Sequence, residues 1–357
     1  MSRRPLTALL ATLALVAVAC GPAAGSASPA GTSPSAPPSV SASGDASLEP
    51  SQESVSLTVG LGFIPSVQFA QFYLADQAGY YEEAGLDVTF QNKIDPDLVT
   101  LVGQGSIDLG LADGTSVIPA VSNGIPIKYV ATIYGRFPSI VFAKSSSDIA
   151  AAKDLQGKKL GIPGRFGSSW IMLQALLKSA DLTPDDLQIV EYPDFGQGAA
   201  VTQGAVDAAT GFANNEPVQL QLTGEQVTIL RVDDVTPLPG NGLIVGQAAL
   251  ESKGDAVAAF VAATLRAMDE ISTDPEKGLD AALTAVPDLA ASRDTQAAIL
   301  DATIDVWRGP VQEARGLGAI EPGDWERSVA FMTDLGLVPN PVSVEDLVDT
   351  GFLPQTG

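Results

Sequence analysis

The residues best suited to chemistry lie in Gly164-Arg-Phe-Gly-Ser-Ser169-Trp170, where a glycine-flanked serine pair beside Arg165 precedes an apolar helical pattern. At the start of a helix such a loop offers free backbone N–H groups, two hydroxyls and a cation, a set that holds an anion or a carbonyl. The same residues also make an ordinary serine N-cap with glycine flexibility. No Gly-Lys-Ser/Thr follows the glycines, so this is not a Walker-type phosphate loop. The chain has no histidine and a single cysteine, Cys20. Ser-His-Asp and Cys-His catalysis, imidazole metal ligation and an intramolecular disulfide are therefore excluded. Neither a cofactor nor a metal is expected, and no catalytic residue is assigned.

Aromatic residues make up only 6% of the chain, yet Phe63, Phe69, Tyr134, Phe166, Trp170, Tyr192, Phe195 and Phe212 gather in or beside a few loops. Flat rings lining a cleft favour a planar ligand. Asp113, Asp194, Asn214, Asn215 and Glu216 add acceptors and amides that can read ring nitrogens and amino groups, or serve as Asx turns and caps. With Gln68, Thr115 and the serine pair, the candidate ligand-binding set is Phe63, Gln68, Asp113, Thr115, Tyr134, Arg165, Phe166, Ser168, Ser169, Trp170, Asp194, Asn214, Asn215 and Glu216. Trp170, Phe166 and Tyr134 are the stacking candidates; Asp113, Asn214 and Glu216 are the hydrogen-bonding candidates.

A tandem repeat positions these loops. Leu57-Thr-Val-Gly60-Leu-Gly-Phe reads as a buried strand, Ser66 to Ala78 as a helix and Gly85 to Phe90 as another strand. The order recurs with Lys159-Leu-Gly161-Ile, the helical Ser168 to Ser179, and Leu187 to Tyr192. Gln104-Gly-Ser-Ile-Asp108 aligns with Gln203-Gly-Ala-Val-Asp207. Two copies of strand, helix, strand, helix, strand predict an α/β protein of two lobes, each a mainly parallel sheet flanked by helices. Ser139 to Ala143 and Gly242 to Gly246 bracket the second copy and read as two hinge crossovers. The first lobe is then 55–143 plus 245–357 and the second 144–244, with the helical tail, including Asp255 to Ile271 and Thr295 to Trp307, packed on the first lobe. In such sheets ligands sit beyond the carboxyl ends of the strands, where the candidate loops fall.

At 357 residues and 45% hydrophobic the chain can bury a large core in two lobes. Its net charge of −23 argues against nucleic acid, which demands clustered Lys and Arg. Arg3 and Arg4 open an apolar run that ends at Leu13-Ala-Leu-Val-Ala-Val-Ala-Cys20, too short for the ~20 residues of a spanning helix. Residues 1–19 read as a secretory signal peptide. A cysteine directly after the cut resembles a bacterial lipoprotein site and implies acylation at Cys20. Residues 20–54, rich in Ser, Pro and Ala, read as a disordered tether from the anchor to the folded body.

Phe63-Ile-Pro-Ser-Val-Gln-Phe-Ala-Gln-Phe-Tyr-Leu-Ala75, followed by Gly79-Tyr-Tyr-Glu-Glu-Ala-Gly-Leu-Asp-Val88, resembles the opening signature of ABC-importer solute-binding proteins of the SsuA-like, thiamine-precursor and sulfonate/nitrate/taurine type. Asp154-Leu-Gln-Gly-Lys-Lys-Leu-Gly-Ile162 and Gly204-Ala-Val-Asp-Ala208 resemble the hallmarks of its second lobe, and the similarity covers most of 55–340. It implies a type II periplasmic-binding-protein fold, a monomer that captures a small solute by cleft closure, and partnership with a membrane permease and its cytoplasmic ATPase. Thiamine-pyrimidine-precursor and riboflavin binders of this family use aromatic, polar clefts, whereas sulfonate and nitrate binders hold anions with serines and cations. The aromatic surround favours a flat vitamin or precursor, without separating pyrimidine from flavin, and an anion receptor is the alternative. A non-transport enzyme or ligand sensor on the same fold is the alternative of another class. A related fungal synthase consumes its own histidine, and here the corresponding helix start carries Gln68.

Overall fold

The structure is a computed structural model that describes residues 54–92 and 97–354. Up to residue 53, the segments read as a signal peptide and a tether, with Cys20, lie outside the described residues. Strands β1 (Val55–Gly60), β2 (Leu86–Gln91), β3 (Leu109–Ala112) and β4 (Ile127–Thr132) alternate with helices α1 (Ala70–Gln77), α2 (Tyr80–Glu83), α3 (Leu98–Gly103) and α4 (Gly114–Ser122). The second half repeats the plan with β5 (Ser139–Lys144), β6 (Lys159–Ile162), α5 (Gly167–Lys178), β7 (Gln188–Glu191), α6 (Gln197–Thr202), β8 (Ala208–Phe212), α7 (Glu216–Leu222) and β9 (Val227–Arg231). After β10 (Gly242–Gly246) the chain is helical: α8 (Gln247–Thr273), α9 (Pro275–Ala285), α10 (Arg293–Trp307), α11 (Pro310–Arg315), α12 (Pro322–Asp334) and α13 (Val344–Leu347).

Two five-stranded sheets result, in the orders β2-β1-β3-β10-β4 and β7-β6-β8-β5-β9. The orders match position for position, as the repeat predicts. One strand in each is antiparallel to its neighbours: β10 between β3 and β4, and β5 between β8 and β9. This corrects the lobe boundary. Residues 139–143 were assigned to the first lobe, but β5 is an inner strand of the second sheet because its apolar run is buried on both faces, which only an interior position allows. The crossovers are instead 133–138 and 232–241. They lie side by side, with the Ile133 and Tyr134 N–H groups both donating to the Asn241 carbonyl.

The short repeat motif has a physical cause. Gly105 and Gly204 take φ of +73° and +71°, a left-handed turn after α3 and α6 that glycine adopts without strain. The next aspartate then staples the adjacent strand: Asp108 Oδ2 accepts from the Thr58 N–H at 2.9 Å, and Asp207 Oδ2 from the Lys159 N–H at 2.8 Å. Asp108 also pairs with Lys253 at 2.9 Å, where α8 departs from helical geometry.

Packing follows the apolar pattern. Helix α8 lays Phe260 against Tyr81, 4.9 Å between ring centres, and Phe72, 6.2 Å, on the outer side of the first sheet. Gly60 lets α3 come close, since a side-chain carbon there would lie 2.4 Å from Leu98. Most of the tail covers the first lobe as expected, but α10 also packs against α7 of the second. Among the described residues no helix is long and apolar enough to cross a membrane.

Candidate functional site

A cleft of about 750 Å³ opens where the two lobes face each other. Leu61, Gly62, Phe63 and the start of α1 line it from the first lobe; the loops after β6, β7 and β8 line it from the second; Ile133, Tyr134 and Asn241 of the crossovers join them. Of the predicted set it brings together Phe63, Gln68, Tyr134, Phe166, Ser168, Ser169, Asn215 and Glu216. The second-lobe rim carries Phe166 and Phe195, which are 67% and 49% exposed. Phe195 holds φ at +59°, a left-handed conformation that a bulky residue rarely adopts and that places it at the cleft.

The serine pair opens α5, but not as a cap. The residue before the helix is Phe166, which makes no side-chain cap bond, and the turn is eased by Gly167 at φ +64°. The first N–H groups of α5 thus have no capping side chain, and Ser168 and Ser169 face the cleft beside them.

Six of the predicted residues lie outside the lining, and for each other than Thr115 a local partner explains why. Asp113 is the N-cap of α4, where Oδ1 accepts from the Thr115 and Ser116 N–H groups at 2.9 and 3.1 Å and from the Thr115 hydroxyl. Its bonding capacity and that of Thr115 are spent there, although burial pushes the Asp113 carboxyl above its ordinary range. Arg165 pairs with Glu191 at 3.3 Å and lies 5.4 Å over the Trp170 ring, while Trp170 packs on the second-lobe core. Asp194 closes an Asx turn by accepting from the Gly196 N–H at 3.2 Å. Asn214 is fully buried and joins the lobes rather than the cleft: its Nδ2 donates to Gln68 Oε1 at 3.1 Å and Thr303 Oγ1 at 2.9 Å, with Tyr134 Oη at 3.5 Å.

Several lining residues were not among the assigned site residues: Gln71, Gln197, Asn241 and Gln219, and Phe195, which was named only with the clustered aromatics. Gln71 stands three positions after Gln68 at the start of an otherwise apolar helix, and two polar residues at i and i+3 share a face. That spacing was the available signal.

Electrostatically the cleft is nearly neutral. Among the described residues Glu216 is the one acidic or basic side chain in its lining, and the Phe212 N–H donates to its Oε2 at 2.8 Å. Burial, the larger influence, pushes the Glu216 carboxyl above the ordinary range against the pull of that bond. Between the ordinary value of 4.5 and the raised one, the folded chain holds a proton that the unfolded chain has released. This group favours folding below about pH 4.5, and the contribution is lost as pH rises through the raised value. Glu216→Gln, which keeps an acceptor for Phe212, is expected to raise the thermal midpoint at neutral pH and leave it unchanged in acid below that range. A lower midpoint at neutral pH in calorimetry would contradict this.

Two α/β lobes, two crossovers and a cleft between them define the architecture of the periplasmic-binding-protein fold. The periplasmic aliphatic sulphonate binding protein SsuA of Escherichia coli superposes with a TM-score of 0.66 at 19% identity, covering 82% of this chain and 97% of that one. The chain matches the NMT1/THI5-like family over residues 66–278 and belongs to it. A riboflavin-binding protein, RibY, of Chloroflexus aurantiacus is 33% identical over 330 residues, spanning 91% of this chain and 93% of the relative. A 4-amino-5-hydroxymethyl-2-methylpyrimidine phosphate synthase of Aspergillus parasiticus is 28% identical over 220 residues, 58% of this chain and 64% of the enzyme.

Proposed function

We propose that this chain is the extracytoplasmic solute receptor of an ABC importer and that its solute is riboflavin. The observation that carries the reading is the makeup of the cleft: exposed aromatic rings at the rim, amides and hydroxyls within, and, among the described residues, Glu216 as the only ionisable acid or base in the lining. Among the described residues a sulfonate or nitrate would meet a carboxyl group and no cation there, since Arg165 pairs with Glu191 outside the lining. A neutral ring system carrying a hydroxylated chain suits the lining instead. The volume supports the larger of the two vitamin classes, because pockets of ~300–1,000 Å³ enclose drug-sized ligands and a single pyrimidine would leave most of the space unfilled. The 33% identity to a riboflavin-binding protein across nearly the whole chain points the same way.

The receptor binds without turnover. The chain has no histidine to serve as the substrate that the synthase resemblance requires. It works as a monomer, tethered through an acylated Cys20, and its lobes close over the solute about the paired crossovers before delivery to a permease with a cytoplasmic ATPase. Titrating riboflavin into the purified full chain while following flavin fluorescence tests this. One-to-one binding with quenching and an unaltered flavin supports it. Binding of 4-amino-5-hydroxymethyl-2-methylpyrimidine alone would move the solute to the smaller ring, and binding of alkanesulfonates alone would refute the argument from a neutral cleft.

A further inference from the structure

Gln71 lines the cleft from α1 yet is only 1% exposed, so its amide lies at the floor rather than the rim. Neither Nε2 nor Oε1 has a partner in the protein. Burial of an amide without hydrogen bonds is costly, and an amide with both ends unmet is the exception among buried side chains. Two further acceptors in the same lining are also unmet, Gln197 Oε1 from the second lobe and Asn241 Oδ1 from a crossover. The three residues with unmet capacity thus line the cleft from the first lobe, the second lobe and a crossover. By contrast, Gln68, one helical turn away, has its Oε1 engaged by Asn214 and its Nε2 donating to Ser66 Oγ at 3.3 Å.

We infer that Gln71 is the specificity-determining residue of the cleft, pairing its amide with an adjacent donor and acceptor on the edge of the bound ring. This rests on the flavin reading above. The isoalloxazine ring carries such a pair in its imide, an N–H beside a C=O: Gln71 Oε1 accepts from the imide N–H while Nε2 donates to the neighbouring carbonyl. A paired buried amide discriminates strongly, because a ligand that lacks the matching group leaves the protein's own polar atoms unmet.

The test crosses one variant with one ligand change. Gln71→Met keeps length and removes both polar atoms; riboflavin and 3-methylriboflavin, whose imide N–H is blocked, are titrated into the full chain and into the variant. The wild type is expected to bind riboflavin about ten- to a hundredfold more tightly than the methylated probe. The variant should lose that preference and bind riboflavin about ten- to a hundredfold more weakly, with a thermal midpoint of the empty protein equal to or above that of the wild type, since an unmet amide has been removed. The midpoint separates a ligand role from a structural one: a residue needed for packing would lower it. Riboflavin binding that is unchanged in the variant, or a preference for riboflavin that survives in it, overturns the inference and leaves the flavin reading standing. Failure of the wild type to bind riboflavin overturns both.

Discussion

Replacing Phe166 and Phe195 together by alanine is expected to weaken riboflavin binding by at least about thirtyfold and to leave the folded chain intact. The two rings are 67% and 49% exposed, so neither contributes much to the core, and exposed positions of this kind change stability by about 0.5 kcal/mol or less. Stacking of a planar heterocycle on an aromatic side chain is worth about 1–3 kcal/mol per ring, and two rings give about thirtyfold at the low end of that range. The exposure itself is informative: a solvated Phe166 ring lying over Gly164, and a Phe195 held at positive φ, are arrangements with no return in packing. Fluorescence titration of the double variant decides the matter, with an equal thermal midpoint as the control. An unchanged dissociation constant would mean that the rim rings do not touch the ligand.

The second large effect is expected at Asn214. Changing it to leucine preserves volume but deletes the amide that hydrogen-bonds both Gln68 of the first lobe and Thr303 of α10 from the loop after β8. Gln68 Oε1 is then left buried without its donor, at a cost of about 2–4 kcal/mol for the network as a whole. For a body of this size that is a fall in the thermal midpoint of about 5–10 °C. The loss should exceed that of the rim variant, inverting the order of their effects on ligand affinity per degree of stability. Differential scanning calorimetry of the empty protein checks it, and a midpoint within a degree of the wild type would show the network to be dispensable.

These two sites also show what could be read from the sequence. The strands were legible where an apolar run stands between turn residues: Lys159–Ile162 was bounded as the structure has it, whereas Gly242–Gly246, read as a hinge crossover, is an inner strand of the first sheet. The sheet neighbours of Ser139–Lys144 were not, because an uninterrupted apolar run says that a strand is interior without saying in which sheet. At the site, loop position and residue type found Phe166, Ser168, Ser169 and Glu216. The same criteria also chose Asp113, whose capping partners are two and three residues away, and Arg165, whose partner Glu191 is twenty-six residues on and invisible before the fold is known. Gln71 went unread because a glutamine in a helix ordinarily faces solvent. Its burial, in a helix packed against α8 and α9, shows only in the fold.

The place of β10 between β3 and β4 constrains the order in which the molecule can be assembled. The second sheet draws all its strands from one uninterrupted stretch, 139–231, so it can be completed by that segment alone. The first sheet cannot: β4 has no strand neighbour except β10, which arrives only after the whole second lobe has been threaded. Pairings that span so much chain form slowly, because a long loop must close before they are rewarded. A chain emerging from its N-terminus therefore carries an open gap in its first sheet until Gly242–Gly246 is available to fill it. Cleavage or premature release anywhere in the second lobe would cripple the first as well.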